Sequence, residues 1–140
     1  MSNIKFLKPK DMGKRDWGKE TLLAFIENKY TLKKLFIKAG KKGGLQYHRR
    51  KNECALILEG NLIIRYDNGK GKIIEKKLKE GDCFHIPPKA IHQEEAVTDC
   101  LLIEVSTPHF NDRVRVEKKY GLPEFDGLPT TKANEIKNKI

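Results

Sequence analysis

Between Thr21 and Gly121 the chain alternates short apolar segments with turn residues. No stretch carries the 3.6-residue apolar repeat of an amphipathic helix, so the pattern is that of an antiparallel β-domain. The predicted strands are Leu22–Ile26, Leu32–Ile37, Cys54–Leu58, Leu62–Tyr66, Ile73–Leu78, Cys83–Ile86 and Leu101–Val105. Asp67-Asn68-Gly69 reads as a hairpin turn, because Asn-Gly accepts the positive φ angles such turns need. Glu59-Gly60-Asn61 reads as a second one. Cys54–Leu58 is apolar at every position between Cys54 and Leu58, which predicts a strand covered on both faces, by the opposite sheet and arm or by a second subunit. The pattern divides the chain into a polar arm or short first strand (residues 1–20), a β-domain (21–121) and a Pro-rich extended tail (122–140).

A chain of 140 residues is enough for one domain with a real core. With 38% hydrophobic and 34% charged residues it has the balance of a globular protein. No apolar run reaches the roughly 18 to 20 residues of a membrane span, and residues 1–10 lack the apolar stretch of a secretory signal. A cytoplasmic location is the expectation. Cys54, Cys83 and Cys100 lie among apolar residues without a CxxC pair, which predicts buried free thiols. The net charge of +10 arises from 23 Lys and six Arg spread through almost every segment. A nucleic-acid surface clusters its charge and favours Arg, so nucleic acid is not the expected partner, although the field favours small anions.

Four histidines are present, and their placement carries the chemistry. In an extended segment Gln46 and His48 share one face, about 6 to 7 Å apart. The charged stretch Arg49-Arg-Lys-Asn52 then turns the chain into Glu53, bringing a carboxylate beside that pair. Further on, Gly81-Asp-Cys-Phe-His-Ile-Pro87-Pro-Lys-Ala-Ile-His92 runs through a strand and a Pro-fixed turn that can return His92 to the same interior spot.

These spacings resemble a known family. Gly40, five residues, Gln46-x-His48, four residues, Glu53, six residues and Gly60 are similar to the first cupin motif, with Gln in place of its first His. Gly81, five residues, Pro87 and then His92 are similar to the second. Asp16-Trp17-Gly18, Gly44 to Glu53, Leu102-Ile-Glu-Val105 and Asp112 to Gly121 further resemble the type II mannose-6-phosphate isomerase-like cupin domain. The resemblance implies a single-domain, all-β cupin (RmlC-like) barrel or jelly roll, usually dimeric, holding one metal. It makes Gln46, His48, Glu53 and His92 the ligands. That donor set suits a divalent ion such as Zn, Mn, Fe, Co or Ni. The chain departs from the family where Arg49-Arg50 replaces further histidines and where Pro87-Pro88-Lys89 replaces a Pro-x-Gly turn.

Other candidates follow from position. His85 lines the pocket if its face is the interior and is a surface residue otherwise; Glu94 and Glu95 are candidate bases. Arg50, Lys51, Lys89 and Arg115 are candidate anchors for a phosphate or carboxylate. His109 falls in a loop, and Tyr47 alternates away from the ligands. The expected function is a metal-dependent, isomerase-like step on a sugar or sugar phosphate. A non-catalytic sugar- or anion-binding module is the alternative, and a cupin dioxygenase a more distant one. A homodimer, by arm exchange or sheet packing, is the expected assembly.

Overall fold

The computed structural model describes residues 2–123; the expected tail lies almost wholly outside them. Among the described residues eleven strands form two antiparallel sheets: β1 (Lys10–Arg15), β2 (Gly18–Ile26), β3 (Tyr30–Ile37), β4 (Gln46–His48), β5 (Glu53–Glu59), β6 (Leu62–Asp67), β7 (Ile73–Leu78), β8 (Cys83–Ile86), β9 (His92–Ala96), β10 (Cys100–Ser106) and β11 (Arg113–Arg115). One sheet runs β1-β2-β3-β10-β5-β8 and the other β11-β4-β9-β6-β7. A one-turn 3-10 helix, Glu117–Tyr120, follows β11. Each of the seven predicted strands is present, and β1 supplies the short strand expected of the arm.

The core lies between the sheets, where Ile37, Ala55, Ile57, Leu62, Ile64, Leu78, Ile86 and Leu102 interdigitate. Fully burying one such side chain contributes about 1.5–3 kcal/mol. Two glycines are demanded by close approach. At Gly60 (φ +96°) a Cβ would stand 2.2 Å from the Asp99 carbonyl oxygen, and at Gly18 (φ +152°) 1.8 Å from that of Phe36. The Asp67-Asn68-Gly69 turn is wider than a two-residue hairpin. Asp67 Oδ1 accepts from Gly69 N and Gly71 N, and Asn68 Oδ1 from Lys70 N, so side-chain acceptors order the loop up to β7.

Two expectations need correcting. The thiols of Cys54 and Cys83 are exposed and only Cys100 is buried, because Cys54 and Cys83 stand on the outer face of the six-stranded sheet. Within one chain β5 is covered on its inner face only. Glu53, Ala55 and Ile57 are buried, whereas Cys54 and Leu58 are exposed.

Candidate metal centre

β4 and β9 are hydrogen-bonded neighbours with Gln46 opposite His92, and β5 faces them from the other sheet. The loop between β4 and β5 is held by Asp112, whose buried Oδ2 accepts the N–H groups of Arg50 (2.6 Å) and Lys51 (2.8 Å). The turn leading to β9 is tied to β4 by Lys89 N, which donates to His48 O at 2.7 Å. Lys89 there takes φ +70°, a left-handed conformation that disfavours a side chain. Lys89→Gly is therefore expected to raise stability by about 0.5–1 kcal/mol in chemical denaturation, with metal content unchanged.

These constraints bring His48, Glu53 and His92, all buried, to one point, with a donor atom from each within 4.8 Å of the others. His48 Nε2 lies 3.5 Å and His92 Nε2 3.7 Å from Glu53 Oε1. The imidazole ring centroids are 5.3 Å apart. His92 Nδ1 donates to Ala90 O at 2.9 Å, which leaves the Nε2 lone pair aimed at the cluster. Burial lowers the pKa of both imidazoles, and the nearby Lys51 charge adds to this. They are accordingly neutral, the form that binds metal. For Glu53, burial alone would raise the carboxyl, but the Lys51 ammonium overrides it and holds the group at about 2. Two neutral imidazoles and one carboxylate at this spacing fit a divalent ion of borderline hardness. Gln46 shares the face of His48 and stands opposite His92.

Behind the triad the inner wall carries a row of alternating charge, of which the sequence reading singled out Lys51 alone, as an anion anchor. Lys51 forms ion pairs with Glu53 and, at 2.8 Å, with Glu104. Lys33 stands directly opposite Glu104 in the strand register and is 2.7 Å from Glu20, which also meets Arg15 at 3.2 Å. Lys51 is buried, so burial would lower its pKa, yet the two carboxylates keep it well above the ordinary lysine range. Burial, followed by the charge of Glu53, pushes Glu104 up to about 7. Burial and the charges of Glu53 and Glu104 likewise push Glu94 up to about 8.

At Glu20, burial would raise the pKa, but Lys33 and Arg15 outweigh it and hold the carboxyl below 4.5. A lowered carboxyl stabilises the fold above its unfolded value and loses that contribution as pH falls through its folded value. Glu20→Gln should thus cost about 1–3 kcal/mol at pH 7. The loss should shrink on acidification below about pH 4, as followed by urea unfolding across pH.

The other sequence candidates separate. Glu94 is two positions from His92 on the same face and half-buried. Glu95 is turned the other way and pairs with Arg65 at 2.9 Å. His85 is exposed and bonded to Asn52 at 2.7 Å, so its face is the outer one. Arg50 and Lys89 are exposed. The Arg115 guanidinium is occupied by Glu117, with Nε donating at 3.0 Å. His109 lies in the loop after β10 against Thr107, and Tyr47 is half-buried opposite Val114.

The cupin-domain family matches residues 35–106, half of the chain and all of the segment from β4 to β10. The chain is a cupin. Solved structures agree at the level of the fold. Over 88% of this cupin, oxalate decarboxylase from Bacillus subtilis superposes with a TM-score of 0.70 at 16% identity, 37% of that chain being covered. The capsular polysaccharide assembling protein CapF from Staphylococcus aureus gives 0.62 at 23% identity over 71% of this chain and 28% of that one. An RmlC-like cupin from Shewanella frigidimarina NCIMB 400 gives 0.58 at 22% identity over 76% and 90%. The cupin thus spans less than a third of the CapF chain. No curated protein matches it. Among the described residues no helix is long and apolar enough to cross a membrane.

Proposed function

We propose that this cupin holds one divalent metal through His48, Glu53 and His92, with Gln46 as a fourth ligand, and acts on a sugar or sugar phosphate. The reaction is an aldose–ketose isomerisation or a related proton transfer, as in type II mannose-6-phosphate isomerase-like domains. The observation that carries the reading is the convergence of two neutral imidazoles and an ionised carboxylate within 4.8 Å. A divalent ion there would supply Lewis-acid polarisation of adjacent carbonyl and hydroxyl oxygens, acidifying the C–H between them. The protein's part is to orient those oxygens and to place a carboxyl where that proton leaves. Glu94, half-buried on the same strand face as His92, is the group we assign to that role. Its geometry, and not that of the exposed His85, suits proton transfer: pushed up to about 8 by burial and by the charges of Glu53 and Glu104, the carboxyl acts as base in its ionised form, so turnover should rise with pH toward 8.

The test is metal analysis joined to a panel of hexose and pentose phosphates. Interconversion by the metal-loaded wild type, reduced about 10²- to 10⁴-fold in Glu94→Gln, supports the reading. Binding without turnover would favour the alternative of a sugar- or anion-binding module, for which the charged inner wall is the supporting observation. Oxygen consumption would favour a dioxygenase.

We further propose that the working unit is a homodimer. Ile4 and Phe6, the latter 94% exposed, project from the extended N-terminal segment. Phe36, Leu58 and Val105 are exposed on the outer face of the six-stranded sheet. That face also carries a shallow groove of about 270 Å³ lined by Lys19, Thr21, Lys34, Phe36 and Leu101. An apolar arm and an apolar face that do not meet within one chain are satisfied when two copies exchange them. Light scattering should give twice the chain mass, falling to one in Phe6→Asp or Leu58→Asp. A monomeric wild type at micromolar concentration would overturn the assembly.

A further inference from the structure

We propose that Arg113 and Arg15 form an oxyanion clamp beside the metal triad, taking the phosphate or carboxylate of the bound ligand. This rests on the reading that the barrel interior is the ligand site, and it deepens that reading by requiring an anionic ligand. Arg113 is registered directly opposite His48 on the neighbouring strand, so both side chains leave the same face of the sheet, with Cβ atoms about 4.5–5.5 Å apart. Arg113 is half-buried. Among the described residues its guanidinium makes no hydrogen bond or ion pair, whereas that of Arg115, two positions on, is committed to Glu117. Arg15 approaches from the end of the six-stranded sheet. Its guanidinium reaches Glu20 through one amino group, and its buried Nε has no hydrogen-bond partner among the described residues.

Charge points to the ligand class. Glu20 is the carboxylate that pairs with both Arg15 and Lys33. Glu104 stands opposite Lys33 in the strand register but is itself pushed up to about 7 by burial and by Glu53, so Arg15, Lys33 and Arg113 still outnumber the two carboxylates around them. Burial lowers the pKa of Arg113, with Glu20 opposing and Arg15 adding to the effect, which places these groups in one electrostatic neighbourhood. An arginine with open donors in such a setting suits a phosphate or carboxylate, whose oxygens accept its N–H groups in pairs. Strands β11 and β4 are about 4.8 Å apart, so the oxyanion would sit within one sugar length of the triad. Of the anchors expected from the sequence, Arg50 and Lys89 are exposed, Lys51 is committed to Glu53 and Glu104 and Arg115 to Glu117, and Arg113 and Arg15 take this role instead.

Titration calorimetry with inorganic phosphate, a hexose 6-phosphate, a hexuronate and the neutral hexose tests the clamp. The proteins are the wild type, Arg113→Gln, Arg113→Lys, Arg15→Gln, the exposed-site control Lys76→Gln and His92→Ala. Phosphate affinity should fall about tenfold to a hundredfold in Arg113→Gln, less in Arg113→Lys and Arg15→Gln, and stay at the wild-type level in Lys76→Gln. Unfolding midpoint and metal content of Arg113→Gln should match the wild type, separating lost recognition from lost fold. Preference for hexose phosphate over hexuronate identifies the phosphate source, and the reverse the carboxylate. Phosphate binding that persists in His92→Ala while metal is lost shows that the two sites are separable. A clamp that behaves as described in a protein without metal would overturn the metal reading alone. Equal phosphate affinity in Arg113→Gln and wild type, or no binding of any anion by the wild type, overturns the clamp.

Discussion

Lys51→Met is expected to destabilise the metal-free protein by about 3 kcal/mol, a fall of roughly 10 °C in unfolding temperature. Lys51 is buried between Glu53 and Glu104, and removing it leaves two carboxylates facing each other in a poorly solvated wall. Part of the loss is relieved when Glu104, already pushed up to about 7 by burial and by Glu53, takes a proton. The double variant Lys51→Met/Glu104→Gln removes both members of that pair and should recover most of the stability. A divalent ion should raise the melting temperature of Lys51→Met more than that of the wild type, since no ammonium then competes for Glu53. Calorimetric melts of the three proteins with and without metal measure all of this. A wild-type melting temperature in Lys51→Met would show that the buried ion pairs do not shape the wall.

His92→Ala and His48→Ala should each weaken metal affinity at least a hundredfold, while leaving the chain folded. Removing an outer-shell partner alone costs 10- to 100-fold, and here a donor itself is lost from a set of three buried groups. Substituting the exposed His85 should leave affinity unchanged, because its ring is bonded to Asn52 on the outer face. Competition against a chromogenic chelator checks each value. Equal affinity in wild type and both variants would remove the triad from consideration.

The apolar strands were legible because burial at those positions follows side-chain alternation. The strands that build the site were harder to see. β4 (Gln46–His48), β9 (His92–Ala96) and β11 (Arg113–Arg115) turn His48, His92, Glu94 and Arg113 toward the interior, so hydrophobicity fades where the chemistry lies. Resemblance to the two cupin motifs compensated for the triad, since it is the family pattern of glycines, prolines and ligands that marks Gln46, His48, Glu53 and His92 where no apolar signal does. It could not do so for Lys51, which sits in a charged run that reads as a solvated turn. Its burial depends on Asp112, about sixty residues away, drawing that loop inward. Arg15 and Arg113 are distant in sequence, and only the fold brings their charges within each other's influence. Alternation in Arg113-Val-Arg115 shows that the two arginines share a face, but not that Glu117 engages one of them. Cys54 and Cys83 misled because an apolar outer face looks, in sequence, like an inner one.

The most direct test of the central claim is anomalous diffraction from crystals grown with cobalt or manganese. One strong peak is expected, bonded at about 2.0–2.3 Å to His48 Nε2, His92 Nε2 and a Glu53 oxygen. That peak should be lost in His92→Ala. A metal-soaked wild-type crystal with no peak among these residues, or with its metal held elsewhere, would contradict that claim.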